Sequence, residues 1–373
     1  MTATGGILRL FLCGDVMTGR GIDQILPHPC PPRLYESFVG TAEEYVRIAE
    51  ATNGPIPKPV SHAYVWGAAL DELNRAQPDL RIVNLETSIT RSEDYAPKGI
   101  NYRMSPENAE CLRAARIDCC VLANNHVLDW GQAGLRETLC TLDNLHIARA
   151  GAGRDLAEAG APAVLDAGGK GRVLLLALAC TSSGTPREWA ATEKSAGLYV
   201  VPELSANLAG QIADRVETVR RAGDIVVVSI HWGPNWGYDI PAGQREFAHA
   251  LIDRAGVSIV HGHSSHHAKA IEIYKGRLVL YGCGDFLNDY EGISGYEEFR
   301  DDLALMYFAG VDPADGNLAS LEMTPLLIRR FQLTRAPAAD AAWIGETLDR
   351  ESGKFGVQIE ANPAGRLMAV WRN

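Results

Sequence analysis

An α/β layered-sheet fold is predicted by three features of the chain. Short apolar, β-branched runs alternate with stretches of helical periodicity. Most of those runs end in a polar, Gly-containing or amide-rich turn, as strands do when they hand over to a loop. The chain has 373 residues, 46% hydrophobic and 22% charged, and no low-complexity stretch, which is enough for one large core.

The elements follow in order. The run Ile-Leu-Arg-Leu-Phe-Leu-Cys at 7–13 is too short, and too interrupted by Arg9, for a secretory or membrane segment. It reads as a first strand, and the expectation is a cytoplasmic protein without a membrane partner. Residues 24–62 carry His-Pro-Cys-Pro-Pro and Gly-Pro-Ile-Pro-Lys-Pro around a helical stretch. They form an insertion after the first strand, placed to act as a lid or substrate wall. Further strands are predicted at 79–85, 117–123, 172–180, 224–231, 256–262, 270–274 and 277–283. Helices are predicted around 63–76, 106–115, 132–145, 203–222 and 242–255, several opened by Ser, Pro or Gly. Beyond residue 300, the apolar runs 303–308 and 319–323 flank an Asp-Gly turn at 315–316, the signature of an antiparallel hairpin added to the sheet. One domain is expected over 1–335, with a C-terminal helix and strand over 336–373 packed on it.

Composition excludes several partners. The net charge is −11, from 46 acidic and 35 basic residues, and no run of Lys or Arg is long enough to track a phosphate backbone, so nucleic acid is not expected. Eight cysteines stand singly or as Cys119-Cys120, mostly in apolar runs and never as Cys-x-x-Cys. They read as small buried hydrophobes in a reducing compartment.

The chemistry lies at the strand ends. Four of ten histidines fall in His261-Gly-His263-Ser-Ser-His266-His267, directly after an apolar run. Each imidazole must satisfy two ring nitrogens, and metal coordination does so for several at once. Other strands end in Gly14-Asp15, Asn84-Leu-Glu86, Asn124-Asn125-His126-Val-Leu-Asp129 and His231-Trp-Gly233. The carboxyl ends of strands in an open α/β sheet form the ligand-binding edge, so these stretches can converge.

Each residue also has a plainer reading. Asp15 is a metal ligand or a turn residue, and Glu86 a metal ligand or the partner of an arginine. Asn125 and His126 supply a ligand beside a proton donor, or simply an amide-rich turn. Asp129 orients His126 or caps the helix that follows. His231 alone would pass for a core histidine. Within the cluster His263 and His266 are the expected ligands, with His267 in reserve. Oxygen donors mixed with imidazoles suit one or two manganese, iron or zinc ions. Arg20, Tyr102 and Arg103 are candidate contacts for a small anionic substrate, against surface solvation.

Taken together, these stretches and Tyr281-Gly-Cys-Gly-Asp285-Phe286 resemble the CapA family, also called the poly-gamma-glutamate capsule-biosynthesis family, of the calcineurin-like metallophosphoesterase superfamily. The resemblance spans residues 8 to about 290. It implies a four-layer αββα sandwich with a two-metal site. Asp15 and His266 would bind the first metal, Glu86 would bridge, and Asn125, His231 and His263 would bind the second, with His126 as proton donor. Met17 stands where phosphoesterases carry a histidine, and their Gly-His-x-His is lengthened here to His263-x-x-His266. The functions implied are phosphate-ester hydrolysis, metal-assisted glutamyl or amide chemistry, or non-catalytic ligand binding.

Overall fold

The computed structural model describes residues 6–372. Among them, two large sheets hold ten and seven strands. The first is centred on Leu8–Val16. Parallel to it on one side run Leu80–Leu85, Cys119–Val121 and Ala148–Ala150. On the other side lie the antiparallel strands Leu303–Val311, Leu318–Arg329, Leu367–Trp371 and Val357–Ala361. In the second sheet Arg172–Cys180, Ile225–His231, Ile259–His263 and Arg277–Leu280 run parallel, with Ile271–Tyr274 antiparallel beyond them.

Side-chain alternation along the strands determines how these sheets meet. Leu8, Leu10 and Leu12 share a core with Val173, Leu175, Ala177 and Val227, so the two sheets pack face to face. Phe11 and Cys13, on the opposite face, pack with Val46, Leu73, Leu112 and Leu135 from helices. Leu174, Leu176 and Leu178 do the same with Leu208, Ile212, Phe247 and Leu251. Buried on both faces, the parallel strands are almost continuously apolar.

The predicted strands and helices are present, with edges moved for local reasons. Ser205 accepts a hydrogen bond from the Leu208 amide, so that helix begins at Ala206 and covers Ala206–Glu217. Gly256, at φ 60°, ends the helix Ala242–Ala255, and the next strand therefore starts only at Ile259. The C-terminal segment forms the helix Ala338–Gly353 and two strands rather than one; residues 362–365 turn back, with Gly365 at φ 74°.

Two features near the end of the first strand set up the site. A Cβ on Gly14 would lie 1.6 Å from the Gly284 carbonyl oxygen, so only glycine allows this approach. The same approach lets the Asp15 amide donate to Gly284 O at 3.0 Å and puts Asp15 in register with Asp285. The second feature is Arg20, which fastens the insertion. Its guanidinium donates to Asp289 at 2.5 and 3.2 Å, to Glu36 Oε1 at 3.0 Å and to the Tyr45 hydroxyl at 2.9 Å, between the rings of Tyr45 and Tyr102. With Tyr45, Val46 and Ala49 also buried, the helix Glu43–Asn53 is a wall of the main core.

Removing one partner of a buried ion pair leaves an uncompensated charge. Arg20→Ala is expected to lower stability by about 3–5 kcal/mol in urea denaturation and to expose residues 24–62 to limited proteolysis. An unchanged midpoint with unchanged cleavage would show that Arg20 does not secure the insertion.

Candidate metal centre

Sheet pairing brings the ligands together. Asp15 lies opposite Asn84 on one neighbouring strand and opposite Asp285 on the other. In the second sheet His231 lies opposite His263. Glu86 follows the strand Leu80–Leu85, and Asn125 and His126 lie in the turn after Cys119–Val121. Asn124 builds that turn by accepting from the amides of His126 and Val127, both at 3.1 Å.

Two buried groups could each hold a metal ion, and they share one residue. Asp15, His231 and His263 form the first; Asp15, His266 and Asp285 form the second; in each the donor atoms lie within 4.8 Å of one another. His231 Nδ1 faces His263 Nδ1 at 2.7 Å, and His231 Nε2 is 3.0 Å from Asn125 Oδ1. Glu86 Oε1 lies 3.9 Å from His231 Nε2 and 3.8 Å from His126 Nε2. His266 Nδ1 is 2.8 Å from Asp285 Oδ1, while Asn288 donates to Asp285 Oδ2 at 2.9 Å. Asn84 donates to Asp15 Oδ1 at 2.7 Å.

The donor set fits a cation. Burial first, then repulsion from Asp285, raises Asp15 to about 7. Burial and the neighbouring Asp15 push Glu86 well above the usual carboxylate range. Burial also holds His231 and His263 well below the ordinary imidazole value, so both are neutral and carry a lone pair. Burial lowers His266 too, but the charge of Asp285 outweighs it and the net shift is upward. Glu86 Oε2 is buried without any hydrogen-bond partner. Oxygen-rich donors with several neutral imidazoles are what a divalent transition metal takes.

Beside this centre stands a hydrogen-bonded pair. His126 Nδ1 is 2.7 Å from Asp129 Oδ2, which also accepts from the Tyr102 amide at 2.6 Å. Lys98 Nζ lies 2.9 Å from Asp129 Oδ1 and 3.2 Å from His126 Nδ1, and donates to the Asn125 carbonyl. Burial, with the Lys98 charge adding to it, lowers His126 to about 4 against the pull of Asp129. The ring is therefore neutral, with Nδ1–H on Asp129 and Nε2 turned toward Glu86.

The structure thus gathers Asp15, Glu86, Asn125, His126, Asp129, His231, His263 and His266, with the Tyr102 ring edge-on to His126 at 4.5 Å. Arg20 and Arg103 are placed differently from expectation. Arg20 is committed to Asp289 and Glu36, and Arg103 to Glu93, the Ser92 and Pro31 carbonyls and the face of Trp130. Neither offers a free guanidinium, because acidic residues distant in sequence claim both. Asp285 and Lys98 were not anticipated. The signal for Asp285 was its place after Gly-Cys-Gly at a strand start; Lys98 had none. Met17 is buried and accepts a hydrogen bond from the Tyr290 hydroxyl at 3.6 Å, while Asp285 supplies the carboxylate beside His266.

The family described as bacterial capsule synthesis protein PGA_cap matches residues 9–290. The chain belongs to the PGA_cap family. A Mycobacterium tuberculosis protein named probable polyglutamine synthesis accessory protein is 45% identical over 372 residues, 99% of this chain and 98% of that protein. The Bacillus subtilis PGA biosynthesis protein CapA is 27% identical over 274 residues, 73% of this chain and 67% of that protein. The Bacillus anthracis capsule biosynthesis protein CapA is 26% identical over 234 residues, 63% of this chain and 53% of that protein. In this PGA_cap chain, no described helix is long and apolar enough to cross a membrane.

Two outcomes test the centre. Asp285→Asn and His263→Ala should each reduce bound manganese or zinc measured by elemental analysis, and should shrink the thermal stabilisation those ions give. The second outcome concerns pH. Asp15 is raised from 3.8 to about 7, so the metal-free fold holds a proton that the unfolded chain has lost. Its contribution is complete below 3.8 and disappears as pH rises through 7. Melting temperatures of the metal-free protein should therefore fall between those values, less steeply for Asp15→Asn, and added metal should reverse the loss above pH 7.

Proposed function

We propose that the protein is a metal-dependent hydrolase of phosphate esters, built as a four-layer αββα sandwich of the metallophosphoesterase type and acting on a small anionic substrate. One observation carries this reading: two groups of potential ligands share Asp15, and a neutral His126 held by Asp129 stands beside them. Asp15, His266 and Asp285 would hold one ion; Glu86, Asn125, His231 and His263 would hold a second. When bound, manganese, iron or zinc would supply Lewis acidity, lowering the pKa of water and compensating charge on the phosphoryl group.

The chain's own residues would manage the protons. Asp129 keeps the His126 ring proton on Nδ1, so Nε2 can take up a proton from solvent and deliver it to the leaving oxygen. Lys98 offsets the charge of Asp129 and so keeps His126 from being held as a permanent imidazolium. Tyr102 and Tyr290, whose hydroxyls are 3.0 Å apart, wall the site on the side of Met17.

A second reading is hydrolysis or transfer at a glutamyl amide. It draws support from the names of the relatives, which refer to polyglutamine synthesis, PGA biosynthesis and capsule biosynthesis. The engagement of Arg20 and Arg103 with protein groups also favours it, because a phosphate dianion is left without a guanidinium clamp.

A panel of phosphomonoesters, phosphodiesters and glutamyl peptides, assayed with manganese or zinc, separates the two. Turnover of phosphate esters supports the first reading, and turnover of glutamyl peptides alone the second. On the active class, His126→Ala should lower turnover by about 10²–10⁴-fold with metal content unchanged. A nitrophenyl ester, whose leaving group needs no proton, should be much less affected. Loss of metal in His126→Ala would remove it from the proton-transfer role.

A further inference from the structure

His261 is the histidine of the cluster that the metal reading does not use, and it is fully buried. Its Nε2 lies 2.8 Å from the carbonyl oxygen of Cys13, two residues before Asp15 on the first strand. Its Nδ1 lies 3.0 Å from Ser229 Oγ, and that same hydroxyl is 2.9 Å from His263 Nε2. Ser229 and His261 are paired across neighbouring strands, two positions before the pair His231 and His263. Strand alternation therefore aims all four side chains at one face.

The directions of these hydrogen bonds are determined from one end. A carbonyl oxygen only accepts, so His261 Nε2 carries a proton and donates to Cys13. His261 has no carboxylate among its hydrogen-bond and ion-pair partners, and a buried imidazolium without an anion is strongly disfavoured; the ring is neutral and its Nδ1 accepts. The Ser229 hydroxyl therefore donates to His261 and has its oxygen free to accept. His263 Nε2 must be the donor to it. The proton of His263 is thereby held on Nε2, and Nδ1, which faces His231 Nδ1 at 2.7 Å and Asp15 Oδ1 at 3.9 Å, presents a lone pair to the centre.

We propose that Ser229 and His261 are positioning residues for the metal centre: anchored on the Cys13 carbonyl, they select the His263 tautomer that can ligate through Nδ1 and register the second sheet's ligands against Asp15. This rests on the metal reading above. Ligand histidines whose other ring nitrogen is held in this way lose about 10–100-fold in metal affinity when the holding group is removed.

The test uses full-length protein labelled with 15N-histidine, freed of metal and then titrated with zinc ion by calorimetry. In the metal-free wild type, long-range 1H–15N spectra should show His263 protonated on Nε2. Ser229→Ala and His261→Phe should mix the two tautomers and weaken zinc binding by about 10–100-fold. His261→Gln, whose amide can donate to Cys13 while its oxygen accepts from Ser229, should stay near wild type in both readouts and guards against a fold that does not tolerate Phe. A His263 tautomer and zinc affinity unchanged in Ser229→Ala, or His261→Gln as damaging as His261→Phe, would overturn the proposal. If wild type takes up no zinc while the tautomer behaves as described, the metal reading fails and the hydrogen-bond relay stands without a ligand-positioning role.

Discussion

Asp15, Glu86 and Asp285 are all but completely buried, close to one another, and none is in hydrogen-bond or ion-pair contact with a lysine or arginine among the described residues. Desolvating a carboxylate is unfavourable by several kcal/mol even after relaxation, and three together repel. The chain answers only part of this with neutral donors: Asn84 and the Ser264 amide for Asp15, Asn288 for Asp285. His266, shifted upward by Asp285, can offer that one carboxylate a proton, while His231 and His263 stay neutral and supply no charge to Asp15 or Glu86. A bound cation would resolve the conflict, and the positions of the surrounding elements make sense as ways of holding that conflict in place.

Rigidity is the other half of the arrangement. Asp15, His231, His263 and Asp285 sit on paired strands whose far sides are covered by helices, fixed by ladder hydrogen bonds and core packing, and Glu86, Asn125 and His266 follow strand ends. The segments that are not strands are tied down by charge. Arg20 joins the insertion to Asp289, and Lys98 joins the loop before Tyr102 to Asp129. These cations are committed to the walls of the site.

The strands were legible because burial on both faces leaves short continuous apolar runs, as at Leu8–Val16, and the hairpin because an Asp-Gly turn separates two such runs. The residues that the fold gathers around Asp15 were legible as polar residues placed directly after apolar runs. Asp285 was missed as a site residue because its role comes from register: a three-residue strand meets Asp15 only where Gly14 and Gly284 cross, and the Gly-Cys-Gly before it does not say which strand it will meet. Arg20 and Arg103 misled for the same reason. Whether a guanidinium is free depends on Asp289, Glu36 and Glu93, and pairing between residues so far apart leaves no local pattern.

The pairing of Leu8 with Val311 reaches beyond stability, into the order of events during synthesis. At roughly 5–20 residues per second, about 15–60 s separate the emergence of these two partners from the ribosome. Through that interval one edge of the first strand has no neighbour, and Asp15 waits for Asp285, which is made almost as late. A nascent chain can close the parallel half of the sheet early, yet the pocket stays half-built until Asp285 and Val311 have been made. Any ion held there would meet its full set of donors only where folding finishes, rather than where it begins.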